Sequence, residues 1–127
     1  MLSLSLLDGE YAVCRLSPRA ALPGRLLDGG GLISVTRTPR ELSVVCRTEL
    51  VCEDALVDQP WRCLEVAGPL DLSTTGVLAA LSAPIAEARL ALFAISTHDT
   101  DYLLVRAATL PAAMKALRSA GHGIADG

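Results

Sequence analysis

The chain has 127 residues, 51% of them hydrophobic but only 3% aromatic, and a net charge of −3. That length holds one ordinary domain or two small modules, with enough aliphatic side chain to fold without metal or disulfide staples. Ten Arg and one Lys are scattered singly, which argues against a nucleic-acid surface, and no apolar run of about eighteen residues marks a membrane span.

The N-terminal MLSLSLLDGEY lacks the charged start and the length of a secretory signal, so it is expected to be structure and the protein to be cytoplasmic. YAVCRLSP, ending at Pro18, reads as a strand. RAALPGRLLDGGG is the only place for a following helix, and Pro23-Gly24 breaks it, leaving a shrunken one. DGGG at Asp28–Gly31 lacks the Lys and Ser/Thr of a phosphate-binding loop and reads as a flexible turn.

From Trp61 onward the pattern is clearer. RCLEVAG (Arg62–Gly68) reads as a strand. STTGVLAALSAPIAEARL puts Val77, Leu78, Leu81 and Ile85 at helical spacing, with Ser73, Thr74 and Thr75 placed to cap its start. Pro84 removes one backbone hydrogen bond and should bend this helix. ALFAIST and TDYLLVR are two strands around a polar turn. ATLPAAMKALRSAG gives a second helix, with Thr109 as N-cap, Pro111 in the first turn and Gly121 just past the end. The tail HGIADG is a poor last strand, and the alternating LSLSLL is expected to take an edge position instead.

The two halves repeat. ISVTRTPRELSVV falls on FAISTHDTDYLLV without a gap when Ile33 is laid on Phe93, which matches Val35 with Ile95 and Glu41 with Asp101. Two β-α-β-β modules are therefore expected, divided at residue 60, with 1–60 the divergent one and 61–127 the complete one. Each would form an antiparallel sheet with helices on one face. Cys14, Cys46, Cys52 and Cys63 show no C-x-x-C pairing, and His98 and His122 do not extend them to a zinc pattern, so all four thiols are expected to be structural.

GPLDLSTTGVLAALSAPIAEARLALFAISTHDTDYLLVR closely resembles the ACT domain, the ferredoxin-like β-α-β-β-α-β module that binds amino acids. It is most similar to small bacterial tandem-ACT proteins related to the regulatory end of aspartokinase, and more distantly to the CASTOR arginine sensors of animals. The resemblance implies an α+β fold of two ferredoxin-like modules in tandem, the first with shortened helices. It also implies a regulatory binding protein in which a small ligand, typically an amino acid, sits between two modules. Carried onto this chain, the ligand positions are Asp71, Ser73, Thr74, Thr75 and Gly76 on one side and Thr97, His98 and Asp101 on the other. Asp71 and Thr74 depart from the arginine sensors, so ligand identity does not transfer.

The chemistry suits a zwitterion. Free N–H groups at the helix start suit a carboxylate, Gly76 permits close approach, and Asp101 with nearby carbonyls accepts from an ammonium. Asp71 would serve a basic side chain. The same residues also fit plainer roles: Ser73–Thr75 as an N-cap, Asp99 as a turn residue, Asp101 as the polar start of a strand. His98 beside two carboxylates is a weak metal set, and neither metal nor cofactor is expected. No nucleophile motif or phosphate loop is present, so the chain is expected not to be an enzyme. The partners expected are a small-molecule ligand, a second copy pairing along sheet edges and an unidentified protein that reads the ligand state, with no nucleic acid and no membrane. An interaction module that has lost its ligand is the alternative.

Overall fold

In the computed structural model, residues 1–71 and 73–125 are described, so the last two residues of the tail lie outside them. The chain divides into an N-terminal unit, Gly9–Trp61, and a C-terminal unit, Met1–Asp8 with Arg62–Gly127. The first eight residues thus belong with the second half of the chain.

The N-terminal unit contains β2 (Tyr11–Leu16), β3 (Ser34–Arg37), β4 (Leu42–Arg47) and the first part of β5 (Leu56–Val66), paired in the order β3-β4-β2-β5. Its core is built from one face of these strands: Ala12, Cys14 and Leu16 on β2 and Leu42, Val44 and Cys46 on β4, closed by Leu26 and Cys52. The expected shortened first helix does not form. Residues 17–33 run through turns in which Leu26, Asp28 and Gly29 bond back only three residues, to Pro23, Arg25 and Leu26. Pro23 lacks an N–H and Gly24 adds backbone entropy, so the four-residue ladder of a helix never starts. The second helix is reduced to a single 3-10 turn at Thr48–Leu50. Arg37 holds the connection down through the carbonyls of Pro18 and Ala20.

The C-terminal unit comprises β1 (Ser3–Leu6), the rest of β5, α1 (Val77–Glu87), β6 (Phe93–Ser96), β7 (Asp101–Arg106), α2 (Leu110–Ser119) and β8 (Gly123–Ala125). The strands pair in the order β8-β1-β5-β7-β6. The poor tail strand does form, parallel to β1 (Leu4 opposite Ile124), and it takes the edge. LSLSLL is not at an edge but lies between β8 and β5, where Leu4 pairs with Val66 and is buried. Isolated propensity misjudged these two segments because a short strand gains its stability from the partner that covers it. Leu81 and Ile85 of α1 and Ala113 and Leu117 of α2 pack with Leu4, Leu64, Val66, Leu103 and Val105 into an aliphatic core.

The hairpins of the two units have the same construction, but not in the register expected. β3 meets β4 with Arg37 opposite Leu42, and β6 meets β7 with Ser96 opposite Asp101. In the first turn the Thr38 amide bonds Glu41 O at 2.9 Å and its hydroxyl accepts from the Glu41 amide. In the second, the Thr97 amide bonds Thr100 O at 2.9 Å and its hydroxyl accepts from the Thr100 amide. Thr38 therefore corresponds to Thr97 and Glu41 to Thr100, one residue from the alignment that matched Glu41 with Asp101. The apolar strands tolerate either alignment. The turn does not, because the Thr38 and Thr97 hydroxyls each accept from the amide three residues on.

Both helix ends of α2 match the sequence reading in place. Thr109 is the N-cap residue and Pro111 lies in the first turn, although the Thr109 hydroxyl bonds back to Arg106 O rather than forward. Gly121, at φ 96°, ends the helix. All four cysteines are buried and unbridged, three in the N-terminal core.

Candidate functional site

A cleft of about 290 Å³ opens in the C-terminal unit, and its lining comes from two short segments, 70–78 and 96–101. Of the eight residues named from the sequence, Asp71, Thr74, Gly76, Thr97, His98 and Asp101 line it, while Ser73 and Thr75 do not.

The first wall is the approach to α1. The expected hydroxyl cap is replaced by another arrangement: Asp71 makes the turn, with Oδ1 accepting from the Ser73 amide at 2.8 Å and its carbonyl from Thr74 at 2.9 Å. Gly76 is the N-cap residue, at φ 80°, and no side chain caps the helix. An L-residue is strained at that φ, so glycine lets the chain turn directly into α1. The first intrahelical bond runs from the Ala80 amide to Gly76 O at 2.9 Å. The amides of Val77, Leu78 and Ala79, at the positive end of the helix dipole, are thus left without an acceptor among the described residues.

The second wall is the β6–β7 turn, and it is tied to the first. Thr100, buried, donates its hydroxyl to Val66 O at 2.7 Å, and the Leu70 amide donates to Asp99 O at 2.6 Å. Gly68 fits between them because a Cβ there would lie 3.0 Å from Asp99 O and 3.1 Å from the Thr100 Cβ. These stitches set the width of the cleft, and they were missed from the sequence. The only local signal was the Gly68-Pro69 pair after a strand, which marks a turn but not what it packs against.

The cleft lining carries three carboxylates, Asp71, Asp99 and Asp101, one imidazole, and no Lys or Arg. His98 Nδ1 lies 3.0 Å from Asp99 Oδ1, but both side chains are largely exposed, so water screens that pair. The half-buried Asp101 carboxylate has no partner among the described residues. Its neighbour Tyr102 points to the other face of β7. There Tyr102 donates to Glu65 Oε2 at 2.7 Å, and that bond, with partial burial, pushes its phenol up to about 12. Cys63 is pushed up to about 12, chiefly by burial. No group of three or more metal-ligating side chains occurs among the described residues, and no helix there is long and apolar enough to cross a membrane.

Set against known proteins, residues 56–119 match the family model of the ACT domain, and residues 9–54 match a model described as an N-terminal domain. The crystal structure of a protein from Agobacterium tumefaciens is similar at 37% identity over 99% of this chain and 93% of that one, with a TM-score of 0.90. A Vibrio cholerae protein of unknown function, described as a possible transport protein, is 21% identical over 94% of this chain and 89% of its own, at a TM-score of 0.74. The ligand-free regulatory subunit of aspartate kinase from Thermus thermophilus shares the fold at 14% identity and a TM-score of 0.65, covering 93% and 97% of the two chains. Comparison with curated proteins finds no match. On the ACT-domain match and the 37% identical relative, this chain belongs to the ACT-domain family.

Proposed function

We propose that this chain is a non-enzymatic bacterial regulator, acting in the cytoplasm, built of two ferredoxin-like ACT modules and binding an amino acid in the cleft of its C-terminal unit. The reading is carried by the cleft itself, which sets a helix start with no side-chain cap opposite a carboxylate that has no partner among the described residues. The free amides of Val77, Leu78 and Ala79 receive the ligand carboxylate. Asp101 receives its ammonium, and Asp71 and Asp99 favour a basic side chain over an acidic one. The like strand orders and threonine turns of the two units support the tandem reading. The edge of β6, which among the described residues pairs with β7 alone, is where a second copy docks and covers the outward side of the ligand. Ligand binding then favours one arrangement of modules, which a partner protein reads.

A thermal-shift screen of the twenty amino acids tests this. One of them should stabilise the protein saturably, by about 2.7 kcal/mol at a hundredfold excess over Kd. Asp101→Ala should abolish that shift. Thr75→Val, outside the cleft lining, should leave it intact. No response to any amino acid removes the proposal and favours an interaction module.

A further inference from the structure

Pro84 sits inside α1. Having no N–H, it cannot bond the carbonyl four residues back, so Ala80 O loses its helical donor. Ala80 itself is exposed, but the part-buried contact at its carbonyl is made by a side chain from far along the sequence. His122 Nε2 lies 3.3 Å from Ala80 O, and His122 Nδ1 lies 3.1 Å from the Leu2 amide nitrogen. An amide can only donate, so Nδ1 is the bare nitrogen, and the proton resides on Nε2, aimed at Ala80 O. Only the neutral Nε2–H tautomer satisfies both neighbours.

The ring is delivered there by the end of α2. Gly121 at φ 96° lets its amide bond Arg118 O at 3.0 Å while the His122 amide bonds Leu117 O at 3.1 Å. This is the left-handed helix stop in which the second residue past the cap folds back beneath the helix. His122 is accordingly buried, at 8% exposure. Leu2 is held on both sides, its amide by His122 and its carbonyl by the Gly123 amide at 2.9 Å.

Ala80 connects this arrangement to the cleft. Its amide closes the first turn of α1 on Gly76 O, and its carbonyl is the atom His122 holds. Gly76, Val77 and Leu78 are cleft lining. We infer that His122 is a positioning residue for the cleft: as the Nε2–H tautomer it bridges the Leu2 amide and the Ala80 carbonyl, replaces the bond Pro84 removes, and so holds the first turn of α1. Its importance for ligand rests on the cleft being the binding site. The bridge itself does not.

A double-mutant cycle without ligand tests it. His122→Phe removes both bonds and should shift the unfolding equilibrium by roughly tenfold or more. Pro84→Ala returns a backbone donor to Ala80 O, so His122→Phe in that background should cost roughly fivefold less. The amide NMR shifts of Val77, Leu78 and Ala79 should move in His122→Phe and return in the double variant, which general destabilisation would not produce. His122→Gln, keeping one acceptor and one donor, should fold and retain most of those shifts if His122→Phe does not fold. The imidazole nitrogen spectrum of the wild type should show a protonated Nε2 and a bare Nδ1. The inference is overturned by the opposite tautomer, by additive effects of the two substitutions, or by first-turn shifts that do not respond. A failed amino-acid screen alongside a positive cycle would sink the ligand reading and leave the bridge standing.

Discussion

The turns at 38–41 and 97–100 close with the same threonine hydrogen bonds, and the second forms one wall of the cleft beside α1. The difference lies in what surrounds each turn. Thr100 and Asp99 are tied to Val66 and Leu70, and an eleven-residue helix starts beside them. At the matching positions the first turn has Glu41 and Arg40, and the segment preceding its hairpin contains no helix. A hairpin is therefore scaffold, and the chemistry comes from the chain that approaches it.

The largest expected effect separates the two cores. Leu81 and Leu26 are both fully buried, one on α1 and one in the helix-free connection. Leu81→Ala should cost about 3–4 kcal/mol, because a helix between packed neighbours cannot close the cavity, and Leu26→Ala roughly 2 kcal/mol, because turns can settle into it. Urea denaturation of both variants checks this, and equal losses would show that the connection is as rigid as the helix.

Alkaline pH should act through the C-terminal unit. Cys63 has an ordinary value of 9.0 and is pushed up to about 12 by burial, so above the unfolded value the native state holds a proton that the unfolded chain releases. Stability then falls as pH rises from 9 toward 12, by about 2 kcal/mol between pH 8 and about 10.5. Tyr102 adds to the fall once its own ordinary value of 10.0 is passed. In the N-terminal unit the Cys14–Cys46 contact lowers the first thiol and raises the second, so their effects oppose. Denaturation midpoints against pH should flatten in Cys63→Ala with Tyr102→Phe, and an unchanged slope would assign the loss elsewhere.

Glycines give a smaller contrast. Gly76→Ala should cost about 1–2 kcal/mol because φ 80° strains an L-residue. At Gly24 a Cβ meets nothing within 4 Å and the backbone is not left-handed, so Gly24→Ala should be neutral or stabilise by about 0.5 kcal/mol. Calorimetry of the two variants measures the difference. Smallest and most alike are the turn threonines. Thr38→Val and Thr97→Val should each cost about 1 kcal/mol, and only the second should alter the amino-acid response proposed for the cleft. A markedly unequal loss would break the equivalence of the two turns.

Much of the C-terminal unit was legible in the chain itself. Val77, Leu81 and Ile85 recur at helical spacing, Gly121 stops α2, and the polar run between Ile95 and Leu103 demands a turn. These are local effects, set by side-chain period and backbone freedom within a few residues. Six of the eight candidate residues line one cleft because both segments adjoin elements of that readable kind. The likeness of the two hairpins was visible too, but the alignment slipped by one residue, since aliphatic strands match in either register and the threonine bonds distinguish them. Tertiary structure decided the rest. It placed LSLSLL inside the sheet, turned Asp71 rather than Ser73 or Thr75 into the bend before α1, fitted Gly68 against Asp99, and brought His122 to the carbonyl that Pro84 leaves bare. Each joins groups distant in the chain, and a hydrogen bond or close contact between them leaves no periodicity in the sequence.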